Sequence, residues 1–218
     1  MAREAIIRIY DEVLADRRLL SHRFYRRWEA GELSGSELAA YAAQYRHFEA
    51  ALPDLLETVS RALPSGLARV AVEANLADER AVPAAHLSLF DAFAEAVGAE
   101  PEPPSPATTV LVDSYQAAGR AGPVAALAAI GAYEVQSSAI AITKSEGLRA
   151  HYGLSPADTR FWDVHGTMDE DHATWLVDAL CALEASEDVV RSSARKAADV
   201  WWAFLDERQA LAGVGTCR

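Results

Sequence analysis

Apolar positions recur every three or four residues through almost the whole chain, and no run alternates apolar and polar residues convincingly enough for a strand. The pattern therefore predicts helices throughout. Ile6, Ile7, Ile9, Tyr10, Val13 and Leu14 mark the first, over Ala5 to Leu20. Ser21 is the expected N-cap of a short second helix that carries Phe24, Tyr25 and Trp28 on one side, turns its arginines to solvent and stops at Gly31. Ser34-Gly35-Ser36-Glu37 opens a third through Leu38, Tyr41, Tyr45, Phe48, Leu52, Leu55 and Val59, with Pro53 as an expected kink. Beyond the break at Pro64-Ser65-Gly66, helix is predicted from Leu67 to Leu76 and from Leu87 to Val97, with Gly98 as its end.

Pro101 to Pro106 reads as a surface loop, and Thr108 to Ala118 as a short helix. Pro123 to Glu146 is a long Ala/Ile helix, nearly free of polar residues before Tyr133 and Glu134, with Gly147 as its stop. Asp158 to Leu183 and Ser186 to Leu211 complete an all-α bundle of about seven to eight helices, expected to form one domain over residues 1–218.

The charged residues inside this pattern carry the chemistry. His165, Asp169 and His172 fall at i, i+4 and i+7 and share one helix face. Glu79 and His86, about two turns apart, would share another. Pro83 lies between them, so either a kinked helix presents both inward or a helix starts at Pro83 with Glu79 outside it. Glu134 is the only charged residue from Val124 to Ile142, where a buried carboxylate is costly unless a cation meets it. Each of these side chains alone has an ordinary structural explanation. Together, three imidazoles and three carboxylates suit two divalent ions, and mixed N/O ligation favours iron or manganese over calcium or a closed zinc site.

The net charge of −12 argues against nucleic acid or an anionic membrane surface as partner. No uninterrupted apolar run looks long enough to span a bilayer, and the first residues lack a signal-peptide core, so a cytoplasmic protein is expected. Cys181 and Cys217 suggest neither a disulfide nor a CxxC site.

The motif Glu79-x6-His86, Glu134 and His165-x3-Asp169-x2-His172 resembles that of heme-oxygenase-like diiron oxidases. Within them the chain is most similar to the proteins related to the Chlamydia protein associating with death domains, through His22-x-Phe24-Tyr25-x2-Trp28-x2-Gly31-Glu32-Leu33, Tyr41, Tyr133-Glu134-x-Gln136 and Lys144-x2-Gly147-Leu148. Ser138 departs from the pattern, standing where relatives carry proline.

The resemblance implies a self-sacrificing 4-aminobenzoate synthase of folate metabolism. Its dimetal site, iron with iron or manganese, would activate O2 with an external reductant, Tyr25 would supply the ring and Lys144 the amino group, and Tyr41 and Tyr133 would relay electrons or form radicals. A homodimer is compatible with this reading. On an ideal helix Lys144 lies about 80° off the Glu134 face and ~15 Å along the axis, so reaching the metals requires a π-bulge or a bend. Two other functions compete: a bundle of the same kind that oxidises an external amino or fatty acid, and a metal-free interaction or regulatory bundle.

Overall fold

The computed structural model describes residues 1–80 and 85–211, with the side chains of 168–172 outside that description. Among the described residues it holds nine α-helices, one 3-10 turn and no strand. They are α1 (Arg3–Leu14), the 3-10 turn Leu19–Ser21, α2 (Arg23–Glu29), α3 (Gly35–Ala62), α4 (Leu67–Glu79), α5 (His86–Ala96), α6 (Pro106–Ala121), α7 (Pro123–His151), α8 (Arg160–Ala182) and α9 (Glu187–Leu211). The count exceeds the seven to eight expected because α4 ends at Glu79 and α5 starts at His86, in place of one kinked helix. Pro83 lies outside the described residues.

Helix ends follow local chemistry, with two corrections to the sequence reading. Ser34 and Glu37 form a capping box at the start of α3, and Arg27 pairs with Glu37 at 2.6 Å instead of facing solvent. The N-cap of α2 is His22, not Ser21: its Nδ1 accepts the Phe24 N–H at 3.1 Å, while Ser21 sits in the 3-10 turn and donates to the Arg18 carbonyl. A ring nitrogen accepts as well as a hydroxyl here, and Nε2 is held 3.0 Å from Asp206. Pro53 lies inside α3, which runs 28 residues through it.

Gly147 does not stop the central helix. α7 continues to His151, and Gly147 is instead where α2 crosses it: a Cβ there would lie 3.1 Å from Trp28 Cδ1 and 3.2 Å from the Trp28 carbonyl. The glycine is thus a packing residue, and it lets the Trp28 indole reach across to donate to the Lys144 carbonyl at 3.3 Å. Gln136 makes a second tie, accepting the Leu19 N–H at 3.0 Å and donating to the Ala132 carbonyl.

α7 packs most extensively against α8 and α9, so it is the central helix of the bundle. By length and composition it could also cross a membrane, with mean hydropathy 1.3 over an 18-residue window, against the expectation that no such run exists. In the fold 67% of that window is buried, which is how a core helix comes to have this composition. At its middle Ser138 Oγ donates to the Gly166 carbonyl of α8 at 2.9 Å. A Cβ on Gly166 would come within 3.0 Å of Ile142 Cγ1, so the missing side chain lets α8 close onto α7 beside His165.

Gly147→Ala tests the α2–α7 crossing. Replacing glycine by alanine inside a helix gains about 1 kcal/mol of propensity, whereas overpacking costs typically ~1–3 kcal/mol. Because one of the crowded atoms is backbone, the second effect is expected to win, lowering stability by up to about 2 kcal/mol in denaturant melts.

Candidate metal centre

Glu79 closes α4, His86 opens α5 and His165 lies in the second turn of α8; one break and one helix face bring them together. Their ligand atoms all lie within 4.8 Å of one another, near the ~4 Å span of two donors across one ion at ordinary bond lengths. His86 Nδ1 is 3.1 Å from Glu79 Oε1, and the His86 and His165 rings are 4.6 Å apart. His165 Nδ1 donates to the Phe161 carbonyl at 2.8 Å, which fixes its tautomer and makes Nε2 the accepting nitrogen.

Glu79 and His165 share a cavity with Glu134 and Ser137 of α7, Tyr45 and Glu49 of α3, and Trp162 of α8. Its free space is about 20 Å³, room for a water-sized occupant. Glu134 is half-buried and accepts from Ser137 Oγ at 3.3 Å. Asp169 and His172 are on α8, but their side chains lie outside the described residues. Hard carboxylates and borderline imidazoles around a small enclosed space fit iron, and a cation offsets the cost of burying those carboxylates.

Glu49 is missing from the six residues chosen from the sequence. It is 4% exposed and stands four residues after Tyr45, on the face with Tyr41, Tyr45 and Leu52. A lone carboxylate on the aromatic stripe of α3 was the available signal, the same one that pointed to Glu134.

A second cluster lies one aromatic layer away. Tyr25 Oη is 2.8 Å from Tyr41 Oη, and Lys144 Nζ donates to Tyr41 Oη at 2.7 Å. All three are essentially sealed from solvent. α7 is unbroken through Ser138 and Gly147, so no bulge turns Lys144 toward Glu134, and Lys144 is not among the residues lining the cavity. Instead Tyr25 comes to Lys144: the Nζ is 4.7 Å from the centre of the Tyr25 ring and 4.0 Å from that of Trp162, with Trp28, Tyr41 and Tyr45 completing the cage. Tyr133, the other candidate aromatic, bonds Tyr45 hydroxyl to hydroxyl at 2.7 Å and stacks on Trp201.

Burial sets the protonation of this cluster. It raises the Tyr25 and Tyr41 phenols far above the usual range, so both stay protonated. It holds the Lys144 amine well below the lysine range, against the smaller opposing pull of Glu49. Each surrounding ring favours a cation by about 0.5–2 kcal/mol, against the several kcal/mol lost by an ammonium taken out of water with a single hydrogen bond. Burial thus favours the neutral amine.

Fold and site define a helical-bundle redox enzyme with a heme-oxygenase-like fold. The chain belongs to the iron-containing redox enzyme family, whose sequence profile matches residues 39–202. It is 33% identical to the 4-aminobenzoate synthase of Nitrosomonas europaea, covering 90% of this chain and 87% of that one. With the 4-aminobenzoate synthase of Chlamydia trachomatis serovar D it shares 30%, over 95% and 92% of the two chains. The fold matches a CADD-like protein of unknown function from Nostoc punctiforme at TM-score 0.78 and 20% identity, covering 96% of this chain and 98% of that one. It also matches a TenA homologue from Pseudomonas syringae pv. tomato at TM-score 0.82 and 16% identity, over 95% and 92%.

His165→Ala and Glu79→Ala are each expected to lower bound iron, measured by elemental analysis, while the helical circular dichroism stays at the wild-type level. Lys144 gives a pH prediction. Below the ordinary lysine pKa near 10.4 the unfolded chain binds a proton that the folded chain does not, so stability rises with pH from the depressed pKa up to that value. Lys144→Met is therefore expected to stabilise the protein at neutral pH, with an advantage that shrinks by up to about 1.4 kcal/mol per pH unit as pH rises. Denaturant melts across that range check the slope.

Proposed function

We propose that this chain is a self-sacrificing 4-aminobenzoate synthase: an oxygenase in which Tyr25 supplies the ring and Lys144 the amino group, with O2 as co-substrate and electrons from an external reductant. The observation that carries the reading is the buried Tyr25–Tyr41–Lys144 chain, with links of 2.8 and 2.7 Å, beside a cavity lined by metal-ligating side chains. The relatives named 4-aminobenzoate synthase, at 28–33% identity, support it.

Glu79, His86, Glu134, His165, Asp169 and His172 would hold the metal pair, iron with a second iron or manganese. When bound, the pair supplies the multi-electron oxidation that O2 chemistry needs. The chain's own residues do the rest. Tyr41 holds the Tyr25 hydroxyl at a fixed distance and gives its proton a path toward Lys144. The unprotonated Lys144 nitrogen keeps a lone pair for bond formation near the Tyr25 ring. Phe24, Trp28 and Trp162 exclude water from both.

The size of the cavity favours this reading over oxidation of an external amino or fatty acid. About 20 Å³ is room for a water-sized occupant, whereas pockets for organic ligands run to ~300 Å³ or more. The acidic net charge supports a protein with no nucleic-acid partner.

Intact-mass analysis before and after aerobic reaction with ferrous iron and reductant tests the proposal. The expected result is a mass loss mapping to Tyr25, at most about one 4-aminobenzoate released per chain, and none from Tyr25→Phe. Many turnovers of an added substrate with Tyr25 intact would overturn it.

A further inference from the structure

Tyr45 stands between the two clusters. It lines the cavity with Glu134 and His165, bonds Tyr133 through a 2.7 Å hydroxyl contact, and stacks on Tyr41 at 5.4 Å with the rings 27° apart. Tyr41 carries the contact on to Tyr25 through its 2.8 Å hydrogen bond. Trp162 offers a parallel bridge, lining the same cavity and lying 4.0 Å from Lys144 Nζ. Its buried indole N–H has no acceptor among the described residues, so an oxidised Trp162 would keep its positive charge beside the Lys144 nitrogen. Tyr45 differs in having a hydroxyl partner, Tyr133, so its proton can shift along a 2.7 Å hydrogen bond when the ring is oxidised.

We propose that Tyr45 is the electron relay between the metal cavity and Tyr25, a role that rests on the synthase reading. In the step it serves, the Tyr25 O–H bond breaks and one electron leaves the ring. Tyr41 takes that proton and passes its own to the Lys144 nitrogen, where a new N–H bond forms and the amine becomes an ammonium held among the surrounding rings. The electron travels through the Tyr41 and Tyr45 rings to the oxidant formed from O2 in the cavity, which is reduced by one electron. Tyr25 is left as a neutral phenoxyl radical, and Tyr45 ends as it began, a phenol bonded to Tyr133.

The test uses the full chain loaded with iron. With 3-aminotyrosine, a more easily oxidised ring, placed at position 45, mixing with O2 and freeze-quenching is expected to give an aminotyrosyl radical by electron paramagnetic resonance and to spare Tyr25. Absence of that radical overturns the relay. Tyr45→Phe keeps the ring and is expected to retain wild-type iron content while Tyr25 loss by mass spectrometry slows by about tenfold or more; loss at the wild-type rate also overturns it. If the radical forms at position 45 but wild-type protein never consumes Tyr25, the synthase reading falls and the relay to Tyr25 falls with it, whereas Tyr25 loss at the wild-type rate in Tyr45→Phe overturns the relay alone.

Discussion

Carboxylates enclosed by helices are the constraint on which the rest of this bundle depends. Glu49, Glu79 and Glu134 line one cavity with His165, and each charge withdrawn from water costs several kcal/mol unless something positive repays it. Hydrophobic packing alone would select apolar side chains at these positions. Their presence suits helices arranged around a cation as much as around each other. α7 and α8 approach through a serine hydroxyl and a glycine at the level of His165, where larger side chains would hold them apart.

A division of labour follows from the aromatic wall between the cavity and Lys144. Tyr45 and Trp162 face both sides of it. Burial favours the neutral forms of the polar groups on the far side: it raises the phenols and lowers the amine. Charge is thus concentrated where a metal would sit and kept away from where covalent chemistry on the chain itself would take place. The separation also explains how α7 can carry both Glu134 and Lys144 as a regular helix, since neither has to reach into the other's compartment.

The helices were legible because a 3.6-residue period survives in nearly every segment, and the Glu79, His86 and His165 grouping was legible from the spacing of a few charged residues in apolar surroundings. Asp169 and His172 belong to the same expectation but lie outside the described side chains. Helical periodicity carries across the break between Glu79 and His86, so the sequence leaves both a kinked helix and a fresh start at Pro83 open. Gly147 was read as a stop because glycine does end helices; that it faces Trp28 depends on α2, which is more than a hundred residues away in sequence. The meeting of Tyr25, Tyr41 and Lys144 was hidden for the same reason. It is set by how α2 and α3 dock on α7, and a local pattern holds no record of docking.

The position of Tyr25 has a consequence for the lifetime of the protein. Its ring is 1% exposed and wedged among Phe24, Trp28 and Tyr41 in a helix of only seven residues. Excising a core ring of this size leaves a void that typically costs ~3–5 kcal/mol, a large share of a domain's total margin. A chain that had reacted would thus be marked for disposal by its own emptied interior, and quality-control proteases would clear spent copies without needing any separate signal.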